Sequence, residues 1–159
     1  MCIGCFLTFT LPKDYINTTG LNTNHRPGTF RLSVILKFKT MTESQIKTSL
    51  ADLNSLVING KLMDAFEKYY HEDIEMQENN NAPVKGKDTN RKRELEFLSN
   101  VTEFRKASVS ELAVNGDTSV VIWSYDYTHK EWGVRNYTQV SVQHWKDSKI
   151  IKEQFFYGN

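Results

Sequence analysis

The feature that most constrains this chain is a change of hydrophobic period. From about residue 44 to residue 101 apolar side chains recur three or four positions apart, and from about residue 103 to residue 157 they recur at every second position. The first period buries one stripe of a helix and the second buries one face of a strand. Helices followed by a sheet with one strongly apolar side must cover that side, because neither surface is stable against water alone. The patterning specifies an α+β roll.

In the helical part, Thr42 or Ser44 can cap a helix whose residues Ile46, Leu50, Leu53, Leu56 and Val57 form one stripe, and Asn59-Gly60 ends it. A second, short helix carries Leu62, Phe66, Tyr69 and Tyr70 on one face. It gives way at His71-Glu72-Asp73 to the alternating run Ile74-Glu75-Met76-Gln77-Glu78, a short strand, and then to the turn-rich loop Asn79-Asn80-Asn81-Ala82-Pro83. After Gly86, Asp88 or Thr89 can cap a third helix presenting Leu95, Leu98 and Val101. Turn signals at Asn115-Gly116-Asp117, Lys130 to Gly133 and Lys146-Asp147-Ser148 divide the remainder into strands at roughly 103–114, 118–129, 134–145 and 149–157.

Residues 1–40 lack a sustained period or a capped helix, and Lys13, Arg26, Arg31, Lys37 and Lys39 against Asp14 give them a net charge of +4, leaving −3 for the remainder of a chain of net +1. They are expected to form a poorly ordered extension, either upstream of a true start at Met41 or a flexible tail, with 41–159 as the folded domain.

Composition removes several function classes. No apolar run approaches the roughly 20 residues of a membrane span. The basic cluster Arg91-Lys92-Arg93 is interleaved with Glu94 and Glu96, so no nucleic-acid surface is expected. The only cysteines, Cys2 and Cys5, cannot staple the domain and lack the second pair of a four-ligand metal site. The start Met1 to Leu7 lacks the features of a signal peptide, so the three Asn-x-Thr sequons read as chance and the expected location is cytoplasmic. His71, His129 and His144 are widely spaced, and no phosphate loop, dinucleotide fingerprint or nucleophile elbow occurs; neither metal nor cofactor is expected.

Asn59-Gly60, Phe66-x-x-Tyr69-Tyr70-x-x-Asp73, Gly86-Lys87 and the ending Lys149-Ile-x-x-Glu-x-Phe-Phe-Tyr157 occur in an order that resembles the SnoaL-like branch of the nuclear transport factor 2-like superfamily, across nearly all of residues 44 to 157. The resemblance implies a cone of three N-terminal helices on a strongly curved antiparallel sheet, a pocket between them, and frequent dimerisation through the outer sheet face. The superfamily spans isomerases, cyclases, dehydratases and noncatalytic binding modules, so the fold does not choose among them.

By resemblance to ketosteroid isomerase, Val121, Trp123, Tyr125, Tyr127 and His129 face the cone. Alternation then sends Tyr137, Gln139, Ser141, Gln143 and Trp145 inward from the next strand, and Ile151, Glu153, Phe155 and Tyr157 from the last. With Tyr70 these residues make an aromatic pocket with a few polar handles, suited to a small apolar molecule. They could equally be packed core, which uses the same residue types. Glu153 would need a Tyr or Gln hydrogen bond, a basic partner or the open rim to offset burial of its charge.

Glu78 matches the general base of ketosteroid isomerase, where proton abstraction needs a carboxylate against an apolar wall. The sites matching the isomerase's oxyanion donors fall near Leu53 or Asn54 and near Ser141, which are poor replacements. A solvated carboxylate beside the asparagine-rich loop is the other reading of Glu78. The outward residues Val120, Ile122, Val140 and Val142 form a second apolar patch and predict a homodimer. Noncatalytic binding of a small apolar or aromatic ligand ranks first, an isomerase- or cyclase-type enzyme with Glu78 as base second, and a protein-interaction module acting through the outer sheet face third.

Overall fold

The computed structural model describes residues 41–158, and the expectations placed on residues 1–40 lie outside them. Helix α1, Glu43–Ile58, opens on a capping box: Thr42 Oγ1 accepts from the Gln45 backbone N–H at 3.2 Å, and Gln45 Oε1 accepts from the Thr42 N–H at 2.9 Å. Such a cap contributes about 1 kcal/mol by satisfying donors that the first turn leaves free. The helix ends in a Schellman arrangement, with Lys61 N–H donating to Leu56 O and Gly60 N–H to Val57 O. Gly60 supplies the left-handed φ of +73° that this ending requires.

Helix α2, Leu62–Tyr69, runs directly into strand β1, Tyr70–Glu78. A tight turn at Asn79, where Asn81 N–H returns to Glu78 O, brings the chain back as a two-residue strand β2, Val84–Lys85, that the sequence pattern does not reveal. Helix α3, Lys87–Asn100, starts earlier than the caps proposed at Asp88 or Thr89: Gly86 is its first flanking residue, and no side chain caps it. Strands β3 (Val101–Asn115), β4 (Thr118–His129), β5 (Gly133–Lys146) and β6 (Lys149–Tyr157) follow as a meander. Asp147 and Ser148 both take positive φ, the signature of the two-residue hairpin turn that matches strand twist.

The six strands form one open sheet in the order β2-β1-β6-β5-β4-β3. Four of its pairings are antiparallel; β1 and β6 run parallel, with Met76 beside Glu153 and Glu78 beside Phe155. This parallel pair makes the sheet mixed rather than antiparallel throughout, and it places the short first strand next to the last. The protein is an α+β fold of three helices packed on that sheet.

Ile46, Leu50 and Leu53 from α1 and Ala65, Phe66 and Tyr69 from α2 pack with Ile74, Val121, Trp145 and Ile150 into a core in which Ile46, Leu50, Ile74, Val121 and Ile150 are fully buried. Each large aliphatic side chain removed from water there contributes roughly 1.5–3 kcal/mol. Asp52 fixes the two helices together by accepting from the Tyr69 hydroxyl at 2.6 Å and Lys68 Nζ at 2.9 Å. Lys87 is buried, donates to Glu67 O, and lies between the Glu67 and Glu72 carboxylates, which joins α3 to α2.

Two expectations about facing residues change. Ile150, not Ile151, enters the core, because β6 carries a bulge: Trp145 pairs with Ile150 and His144 with Lys152, so the alternation slips by one residue at Ile151. Leu95 is half exposed, because α3 turns Asn90, Glu94 and Phe97 toward the sheet instead. Asn90 is fully buried and donates to Val84 O and Gly86 O, which fixes that rotation. On the outer sheet face Val120 lies opposite Val142 and Ile122 opposite Val140, so the four apolar residues are contiguous and only partly buried.

Candidate functional site

The helices cover only part of the inner sheet face. Along β4, Ser119 and Val121 meet the core, while Trp123, Tyr125, Tyr127 and His129 line a cavity of about 600 Å³ between the sheet and α1, α2 and α3. The period-2 alternation of β4, β5 and β6 builds its wall, since every second side chain of a strand shares a face. Tyr137, Gln139, Ser141 and Gln143 come from β5, and Glu153, Phe155 and Tyr157 from β6. Tyr70, Met76 and Glu78 come from β1, and Leu53, Val57, Leu62 and Phe66 from the first two helices. The structure therefore brings together Glu78 and all ten side chains assigned to a pocket from the sequence.

The aromatic side chains touch one another. Trp123 stacks on Tyr125 with ring centroids 5.5 Å apart, Tyr125 and Tyr137 lie 5.9 Å apart, and Tyr137 and Tyr157 lie 5.5 Å apart. Offset or tilted contacts of this kind contribute roughly 0.5–1.5 kcal/mol per pair beyond the area they bury and favour particular ring orientations. Burial pushes the Tyr125 and Tyr137 hydroxyls well above the usual phenol range, and burial together with the Glu78 carboxylate pushes Tyr157 up to about 12. These hydroxyls are neutral donors at physiological pH.

At the inner end lies a directed hydrogen-bond chain. Trp145 Nε1 donates to Ser119 Oγ, Ser119 Oγ to Gln143 Oε1, and Gln143 Nε2 to Glu153 Oε1, each at 2.8 Å. An indole N–H can only donate, so Ser119 Oγ accepts from Trp145 and its own hydroxyl proton is free to go to Gln143 Oε1, which leaves the Gln143 NH2 for Glu153. The Tyr70 hydroxyl donates to the other oxygen, Glu153 Oε2, at 2.5 Å. Glu153 is 2% exposed, and burial raises its pKa to about 7 despite the Tyr70 and Gln143 hydrogen bonds that favour the anion. Of the three arrangements open to an inward Glu153, a basic partner, a Tyr or Gln hydrogen bond or the open rim, the structure has the second, with both Tyr70 and Gln143.

Glu94 is the functional candidate that the sequence reading missed. It projects from α3 into the cavity, and burial followed by the nearby Glu78 carboxylate raises its pKa to about 7, with Arg93 opposing. The spacing Asn90, Glu94, Phe97, Val101 is a helical face and could have signalled it; the more apolar Leu95, Leu98 and Val101 was read instead. Glu78 itself is partly exposed at the end of β1 beside the Asn79 turn. Of the sites matching the isomerase donors, Leu53 and Ser141 line the cavity, and Asn54 is buried with its Oδ1 unpaired.

Trp132, in the β4–β5 turn, stacks on His129 at 3.8 Å and 9°, with Phe97 against both, and Phe104 completes an exposed aromatic rim at the mouth. Among the described residues no three His, Cys, Asp or Glu side chains converge in metal-holding geometry, and no helix is long and apolar enough to cross a membrane.

This geometry agrees with comparisons to known proteins. A family model of the SnoaL-like domain matches residues 41–157. A solved structure from Mesorhizobium loti, described as a candidate SnoaL-like polyketide cyclase with the further label carbohydrate phosphatase, is 29% identical, with a TM-score of 0.65 over 74% of this chain and 100% of that one. An NTF2-like protein of unknown function from Burkholderia pseudomallei is 10% identical, with a TM-score of 0.62 over 74% and 92% of the two chains. AclR from Streptomyces galilaeus, described as a candidate hydroxylase, is 13% identical, with a TM-score of 0.60 over 74% and 91%. No curated protein matches. With a family model spanning the whole described domain, the chain belongs to the SnoaL-like domain family of the nuclear transport factor 2-like fold.

Proposed function

We propose that this domain binds a small aromatic or otherwise apolar molecule in its cavity. The observation that carries the reading is a space of about 600 Å³ with a wall of contacting aromatic rings, alongside which polar and charged groups such as Glu78, Glu94, Glu153, Arg135 and Gln139 also face the space. A site of this size and lining suits a ligand of one to three rings, with the polar groups setting its orientation. Thermal-shift screening of the full chain with small polycyclic and aromatic ketones tests it. Stabilisation by some of these compounds, lost in Ser141→Leu, which fills the cavity floor, is the expected result; a wild-type protein that none stabilises overturns the reading.

A second reading, acid–base catalysis of the isomerase or cyclase type, is favoured by two carboxyls held near pKa 7 in one cavity. Groups poised there can both take and return a proton at neutral pH. The description of the Mesorhizobium loti neighbour as a candidate polyketide cyclase points the same way. Turnover of a stabilising ketone in deuterated water, followed by mass gain, tests this reading, and loss of exchange in Glu78→Gln or in Glu94→Gln identifies the base.

A further inference from the structure

The distribution of charge inside the cavity narrows the ligand. Glu78, Glu94 and Glu153 line the same cavity, where the negative charge of Glu78 acts on both of the others, and that of Glu94 on Glu153. Arg93 is the cation that bears on Glu94, while its guanidinium donates to Asn90 Oδ1 at 3.1 Å; Arg135 also lines the cavity, over the Tyr137 ring. Glu153 has two donors on its carboxylate, but Glu94 has no hydrogen bond or ion pair among the described residues and faces the open cavity. A purely apolar ligand would cover that carboxylate and leave it unpaired, which is costly.

A separate observation comes from the wall. Cations are attracted to the faces of Trp and Tyr rings, most strongly where water is excluded. Tyr137 already holds one: the Arg135 guanidinium lies 5.6 Å above its ring. The stacked Trp123 and Tyr125 offer further aromatic surface to the same cavity. An aromatic enclosure with an unpaired carboxylate facing into it is matched chemically by an ammonium group attached to a ring.

On this basis, and resting on the reading that the cavity binds a small ring-containing molecule, we infer that the ligand carries a protonated amine, seated between the Glu94 carboxylate and the aromatic wall. The ammonium would supply the missing partner of Glu94 and relieve the repulsion among the three carboxylates. It would also pull Glu94 and Glu153 toward their ionised forms, so binding near pH 7 releases protons.

Isothermal titration of the full chain with tryptamine, tryptophol and indole-3-propionate tests the inference, because the three share a ring and differ in a cationic, neutral or anionic tail. At pH 8 tryptamine is expected to bind about tenfold more tightly than tryptophol, and indole-3-propionate most weakly. The tryptamine-to-tryptophol ratio should fall toward one at pH 5.5 and in Glu94→Gln, and tryptamine heats in buffers of differing ionisation enthalpy should show proton release near pH 7. Equal affinities at pH 8, or a ratio that survives in Glu94→Gln, overturn the amine assignment. If aromatic ketones stabilise the protein while tryptamine shows no advantage, only the amine inference fails; if no compound of either set binds, the pocket reading fails with it.

Discussion

The Tyr70 hydroxyl donates to Glu153 Oε2 across a separation of 83 residues, joining the first residue of β1 to the middle of β6. Glu153 receives a second donor from Gln143, so both of its oxygens are occupied by groups that favour the anion. Removing either donor shifts the balance toward burial, which already dominates.

Tyr70→Phe is therefore expected to raise the Glu153 titration midpoint above its value of about 7 and to lower stability at pH 8 by about 1–3 kcal/mol, the cost of an unpaired buried acceptor. Carbon-13 NMR of labelled glutamate carboxyls follows the first effect, and urea unfolding the second. An unchanged midpoint would show that the hydroxyl is not donating to the carboxylate.

The Trp145, Ser119, Gln143 chain should behave as a unit. Ser119→Ala leaves the Trp145 N–H and the Gln143 Oε1 unpaired in a buried place and is expected to cost roughly 2–4 kcal/mol, well above the usual cost of losing one hydroxyl. In a Trp145→Phe background the same change should cost less by at least about 0.5 kcal/mol, the coupling that a double-mutant cycle reads for groups in one network. Additive costs would mean that the three side chains act independently.

Glu94 and Glu153 set the pH dependence of folding. Each carboxyl is raised from an unfolded value of 4.5 to about 7, so between those values the native state binds more protons than the unfolded chain. The sign follows: stability contributed by these groups is greatest at low pH and declines as pH rises from about 4.5 to about 7, by up to roughly 3 kcal/mol for the fully buried Glu153 and by less for Glu94, which is only partly buried and faces the cavity. Glu94→Gln should flatten part of that decline and raise the unfolding midpoint at pH 8. Thermal unfolding from pH 5 to pH 8 checks it; a slope identical to wild type would remove Glu94 from the account.

The contiguous outer patch of Val120, Ile122, Val140 and Val142 leads us to propose a homodimer through that face. Light scattering of the full chain at micromolar concentration should give twice the chain mass, and Val140→Lys should give the monomer mass with an unfolding midpoint little changed in the dilute limit. A wild-type protein that is monomeric at these concentrations sets the proposal aside.

Much of the cavity wall could be read from the chain because β4, β5 and most of β6 are regular strands. Once Trp123 is placed inward, alternation forces Tyr125 and Tyr127 inward too, and the β4–β5 register carries the assignment to Tyr137, Gln139 and Ser141 without interruption. The same rule failed at Ile151, because nothing local marks the bulge; it arises where β5 and β6 must keep pairing while the sheet bends. It failed for α3 as well. That helix has so few apolar residues that Leu95 and Glu94, neighbours about 100° apart on its surface, are both acceptable inward choices until the fixed position of Asn90 selects Glu94.

The sequence by itself determined the three helices and the five longer strands in their order and which side chains of each regular strand share a face; these follow from period and local chemistry, which act within a few residues, whereas the choice of Thr42 over Ser44 as the cap, the two-residue β2 and the opening of the aromatic face into a cavity rather than a packed core came with the structure. Only the tertiary structure decided that β1 lies parallel to β6, that Glu153 is held by Tyr70 and Gln143, and that Glu94 joins Glu78 in the same space. Those relationships link residues tens of positions apart, and the burial that raises the Glu94 and Glu153 pKa values exists only once the helices close over the sheet.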